Sequence, residues 1–148
     1  MKVTKVDKEI KPLVEFMNSL EGIKTFGSCQ GHDDGGKTGK WLYPYIKFKC
    51  TNNYTLAVLA TIEHAYLSLD EQAKLSSFDS SLAFEPDLSA SWSIEVVSHF
   101  EFNQMKNPSE FAVYVLRPES DSYDKASDIY SDFEQILKWY KYQVILRY

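Results

Sequence analysis

Between Gly27 and Lys40 the chain reads GSCQGHDDGGKTGK, and the side chains best suited to chemistry gather there. Cys29 and His32 stand three positions apart. A thiol beside an imidazole makes a nucleophile with its base, so these two are the candidate catalytic residues if the protein is an enzyme. The same pair could supply two zinc ligands. Two more would be needed, from Asp33, Asp34, His64 or His99. With three histidines in all and no Cys-x-x-Cys, no metal site is expected.

Glycine points to the same stretch. All six glycines, Gly22, Gly27, Gly31, Gly35, Gly36 and Gly39, lie between residues 22 and 39. Gly31 to Thr38 matches the pattern of a phosphate-binding P-loop, which needs a strand before it and a helix N-terminus after it. Here the continuation Trp41-Leu42-Tyr43-Pro44 reads as strand, and Asp33 and Asp34 would sit among the phosphates. A P-loop is therefore not expected. Glycine backbone can instead form a concave nest of N–H groups around an anion. Gly27, Gly31, Gly35 and Gly36 would form it, with Ser28, Thr38, Lys37 and Lys40 as further donors. Trp41, Tyr43 and Tyr45 are placed to stack on a base. The leading expectation is a small anionic, phosphorylated or nucleotide-like ligand, bound through Gly27, Ser28, Gly31, His32, Lys37, Lys40 and Trp41.

Charge supports an anionic ligand there. The net charge is −5, but residues 1–50 hold nine lysines against six carboxylates, while the remaining 98 residues carry −8. A basic local field favours anions. Only two arginines, Arg117 and Arg147, are present. Arginine is the usual bidentate reader of phosphates and bases, so no duplex DNA partner is expected; RNA remains a secondary expectation. Lysine-over-arginine usage is compatible with a compact bacterial or phage-type protein. Two cysteines, Cys29 and Cys50, make no disulfide framework. No secretory leader or membrane span is read from the sequence, so a cytoplasmic location is expected. A different class of function, a protein–protein adaptor or homodimer, would use Tyr130, Tyr140, Tyr142 and Tyr148 on an acidic C-terminal helix.

The elements that must position these residues follow from periodicity. With 148 residues, 44% hydrophobic and 15% aromatic, the chain has enough apolar side chains for one globular core over residues 1–148. Ile10, Leu13, Val14, Met17 and Leu20 predict a helix over about Asp7 to Leu20, ended by Gly22. Ile23 to Ser28 reads as a strand. Tyr43 to Cys50 alternates, with Ile46, Phe48 and Cys50 on one face and Tyr45, Lys47 and Lys49 on the other. Thr51-Asn52-Asn53 caps a second helix reaching about Leu69. A short strand is expected around Ser81 to Phe84. Trp92 to Phe102 and Phe111 to Leu116 predict a hairpin, Pro118 to Tyr123 a polar turn, and Ala126, Ile129, Phe133, Ile136, Leu137 and Tyr140 the buried stripe of a last helix. The expected fold class is α+β, mainly an antiparallel sheet with helices packed on one face. Pairing Ile23–Cys29 with Tyr43–Cys50 would hold the two thiols roughly 20 Å apart, too far for a disulfide.

The stretch Leu13 to Phe48, LVEFMNSLEGIKTFGSCQGH followed by PYIKF, resembles the N-terminal part of the wybutosine-synthesis methyltransferase family, which modifies tRNA. Asn18, Thr25, Ser28, Cys29 and Gly31 stand in matching places. His32 replaces the family's basic arginine, an Asp-Asp pair follows, and the family's later Gly-Phe-Arg-rich motif has no counterpart. The resemblance covers about a quarter of the chain and implies a similar α+β scaffold with a site at Ser28 to His32. The corresponding enzyme expectation is an RNA- or nucleotide-modifying, S-adenosylmethionine-dependent transferase-like activity using Cys29 and His32. No cofactor follows from the residues themselves.

Overall fold

The computed structural model describes residues 6–33, 37, 39–65, 86–96, 113–119 and 122–147. Its elements run α1 (Lys11–Asn18), β1 (Ile23–Cys29), β2 (His32–Asp33), β3 (Trp41–Leu42), β4 (Tyr45–Cys50), α2 (Asn53–Ala60), a 3-10 turn (Thr61–His64), β5 (Trp92–Val96), β6 (Tyr114–Pro118), β7 (Ser122–Tyr123) and α3 (Ala126–Arg147). The first sheet has the order β1-β4-β6-β5 and the second β2-β3-β7. Every pairing is antiparallel. The helices pack on the first sheet, giving an α+β fold.

Alternation along β4 explains this layering. Ile46 and Phe48 are fully buried against the helices, while Lys47 and Lys49 face outward. From the helix side, Leu13 and Met17 of α1 and Ile129, Phe133, Ile136 and Tyr140 of α3 complete the core. Burying a side chain of this size contributes about 1.5–3 kcal/mol. The sheet therefore has one apolar face and one face open to charged residues.

Two joints fix the helices against the sheet. Asn18, the last residue of α1, donates through Nδ2 to Thr25 Oγ1 (2.7 Å) and accepts from Thr25 N (2.9 Å). Asp132 of α3, fully buried, accepts from Ser89 N (2.7 Å), Trp92 Nε1 (2.9 Å) and Tyr123 Oη (3.1 Å). One carboxylate thus ties both sheets to the long helix. Burial pushes the Asp132 carboxyl above its ordinary range, and the hydrogen bonds oppose that rise.

Several boundaries differ from the sequence expectation. The first helix starts at Lys11 rather than Asp7, because the Asp7 carboxylate accepts from Gln30 N (3.1 Å) and holds the preceding turn. It ends at Asn18, whose side chain is turned to Thr25. Gly22 is not its cap: it takes φ +82° in the next turn, where a Cβ would meet Asn52 at 2.8 Å. Asn52 caps α2 by accepting from Thr55 N (3.0 Å). That helix gives way to the 3-10 turn at Thr61, while Trp139 Nε1 donates to Thr61 Oγ1 (3.0 Å). Residues 66–69, the Ser81–Phe84 strand, the far halves of both hairpin strands and His99 lie outside the described residues.

The region read as a polar turn, Pro118 to Tyr123, contains the end of β6 and all of β7. Periodicity cannot reveal a two-residue strand. The two strands read as a hairpin pair antiparallel, with Ile94 opposite Leu116 and Trp92 opposite Pro118. Cys29 lies opposite Tyr45 and Cys50 opposite Ile23, so the thiols sit at opposite ends of the β1–β4 ladder, and both are free.

Candidate functional site

Ser28, Cys29 and Gln30 close β1 and lead into the β2–β3 hairpin. The ladder between β1 and β4 shifts register between Thr25 and Gly27, a bulge that leaves Phe26 exposed. A Cβ on Gly27 would meet Lys47 only at ordinary distance, 3.8 Å, so packing does not demand glycine there. Ser28 is half-buried opposite Ile46. Gly31 is more demanding: its φ is +94°, and a Cβ there would meet Ile129 Cδ1 at 2.9 Å. Its N–H points to Cys29 Sγ (3.4 Å). The space beside Gly31 is filled by the protein itself, and its donor is already engaged.

Gln30 joins three parts of the chain. Its Oε1 accepts from Glu9 N (2.9 Å), its N donates to Asp7, and its Nε2 lies 3.5 Å from Tyr130 Oη. A cleft between α1 and α3, lined by Pro12, Leu13, Tyr130 and Leu137, opens beside these contacts.

The hairpin carries the remaining candidates. His32 pairs with Leu42 and Asp33 with Trp41, while Trp41 also pairs with Tyr123 of β7. Trp41 is half-buried against the core. Lys40 reaches Asp124 at 3.8 Å, with both side chains well exposed; Lys37 is exposed. His32 is exposed too, and its ring lies 5.7 Å from that of Tyr43, tilted by 41°. Among the described residues Tyr43 is the one non-glycine with positive φ, at +60°, and its side chain is 55% exposed. For a bulky residue that conformation costs about 1–2 kcal/mol.

The fold therefore groups His32, Lys37, Lys40 and Trp41 on one hairpin, and leaves Gly27, Ser28 and Gly31 in the supporting strand and turn. Among the described residues no hydrogen bond joins Cys29 to His32: the thiol faces the Gly31 N–H, the imidazole faces Tyr43. The residues after Gly39 form β3, so no helix N-terminus follows the Gly-Lys-Thr run. Gly35, Gly36, Asp34 and Thr38 lie outside the described residues. No group of three His, Cys, Asp or Glu able to hold a metal ion is found among the described residues. None of the described helices is long and apolar enough to cross a membrane.

Of the C-terminal tyrosines, Tyr140 is fully buried and donates to Leu59 O (2.8 Å), and Tyr130 packs on the core. Burial and then the Glu63 carboxylate hold the Tyr140 hydroxyl well above its usual range. Tyr148 lies outside the described residues.

Sequence reasoning placed Tyr43 among rings able to stack but did not single it out. The available signal was its position before Pro44, which disfavours right-handed helical backbone, in a two-residue link between strands of different sheets.

No protein-family model, curated protein or solved structure matches this chain.

Proposed function

We propose that the β2–β3 hairpin binds a small anionic, nucleotide-like ligand. The observation that carries this reading is the His32–Tyr43 ring pair, in which an exposed tyrosine is held in left-handed backbone. Backbone held in a costly conformation, with its side chain in solvent, belongs to the kind of outlier that clusters at ligand clamps. Two exposed rings set at an angle offer a base a place to stack. Lys37 supplies positive charge on the same hairpin, Lys40 is shared with Asp124, and Trp41 anchors the hairpin to the core. The anion is met by these side chains rather than by a glycine nest around Gly31.

The test is a thermal-shift series with a nucleoside monophosphate, the uncharged nucleoside and inorganic phosphate. The monophosphate is expected to raise the melting temperature most, since a ligand at a hundred times its Kd adds about 2.7 kcal/mol. His32→Ala should remove most of that shift. Absence of a shift with all three compounds overturns the proposal.

A further inference from the structure

The side of the first sheet away from the helices carries a second arrangement, separate from the hairpin. Outward positions on β1 and β4 hold Lys24, Phe26, Tyr45, Lys47 and Lys49. The register sets Lys24 opposite Lys49 and Gly27 opposite Lys47. The bulge turns Phe26 out beside them, 42% exposed. Lys47 Nζ lies 5.3 Å from the centre of the Tyr45 ring. Farther along this face Ser93 and Val115 are buried, while Glu95 and Arg117 are exposed. Glu95, the one carboxylate on these outward positions among the described residues, is paired with Arg117.

We infer that this half-sheet binds single-stranded nucleic acid. Lys24, Lys47 and Lys49 over two strands form a positive patch on a chain whose net charge is −5, so this face can attract a polyanion. Tyr45 to Lys49 covers about 13 Å of strand; one ring and two lysines lie along it on β4, and Lys24 and Phe26 lie on the neighbouring β1. Phosphates need the cations, and unpaired bases need the rings, because every base has a face to stack. A duplex hides its bases from Phe26 and Tyr45, and the face has no free arginine fork for a groove edge. The occupant is therefore a single strand rather than a duplex. Stacking and phosphate contacts serve ribose and deoxyribose strands alike.

Fluorescence anisotropy with a labelled oligo(dT) of about ten nucleotides, within the range of single-strand site sizes, tests the inference on the full chain. Parallel titrations use oligo(U) and a duplex of equal length. Both single strands should bind and the duplex bind at least tenfold more weakly. Each phosphate contact contributes about 0.7 to the slope of log K against log salt for single strands. The double variant Lys24→Gln/Lys47→Gln should thus lower the slope by about 1.4. Phe26→Ala should weaken binding by at least about fivefold. These exposed substitutions leave the core intact, which circular dichroism verifies. They also spare the hairpin, so the mononucleotide shift should survive in them; the two proposals therefore fail separately. No single-strand binding at low salt, a duplex bound as tightly, or affinity and salt slope unchanged in the face variants would overturn the inference.

Discussion

Ile129 of α3 occupies the space that a side chain on Gly31 would need. An added Cβ would come within 2.9 Å of Ile129 Cδ1, at a backbone φ of +94°. The glycine that looked most like part of a ligand cradle is thus a contact between the turn after β1 and the long helix. Gly31→Ala is expected to destabilise the protein by about 2–4 kcal/mol, from left-handed strain and overpacking together. Urea denaturation measures it. Gly39 also has positive φ, but nothing lies within 4 Å of its Cβ position; Gly39→Ala should cost only about 1–2 kcal/mol.

Asn18 and Thr25 exchange two hydrogen bonds between α1 and β1. Asn18→Ala should lower stability by about 1–3 kcal/mol, since each bond contributes about 0.5–1.5 kcal/mol. Thr25→Val keeps the backbone N–H and should cost less. Equal losses in the two variants would contradict this division.

Asp132 gives the fold a defined pH dependence. Its carboxyl is raised by burial in the folded state, so the folded protein holds that proton more readily than the unfolded chain. Its contribution is fully present below the ordinary carboxylate value of 3.8 and is lost as pH rises through the raised folded value. Asp132→Asn removes this titration. It also replaces an acceptor oxygen with an amide that faces donors, costing about 1–3 kcal/mol. The stability advantage of the wild type over Asp132→Asn should therefore shrink as pH rises from 3.8. An advantage that grows over that range would contradict the assignment.

Much of this architecture was legible in the sequence. Strict alternation in β4 separated Ile46 and Phe48 from Lys47 and Lys49, and the stripe Ile129, Phe133, Ile136 and Tyr140 marked the buried side of α3. What escaped was set by long-range contacts. Nothing local tells Asp7 to turn toward Gln30, or makes Asp132 and Trp139 internal. Strand β7 exists because Trp41 and Leu42 offer it an edge. The candidate site was found as a segment rather than as a geometry. Composition led to the glycine-rich stretch, yet Gly22 and Gly31 serve close packing, and Asn18 and Thr25 hold helix to strand. His32 was marked by its chemistry, whereas Tyr43 stands out only through its backbone.

Isothermal titration of the wild type and of Tyr43→Gly with a nucleoside monophosphate, beside urea denaturation of both, separates the ring's role in binding from its role in stability. Glycine relieves the left-handed strain, offset by its greater freedom when unfolded, so stability should be unchanged or raised by up to about 1 kcal/mol. Binding should fall at least tenfold, because the ring beside His32 is gone. A Tyr43→Gly protein that binds the nucleotide as tightly as the wild type would contradict the account.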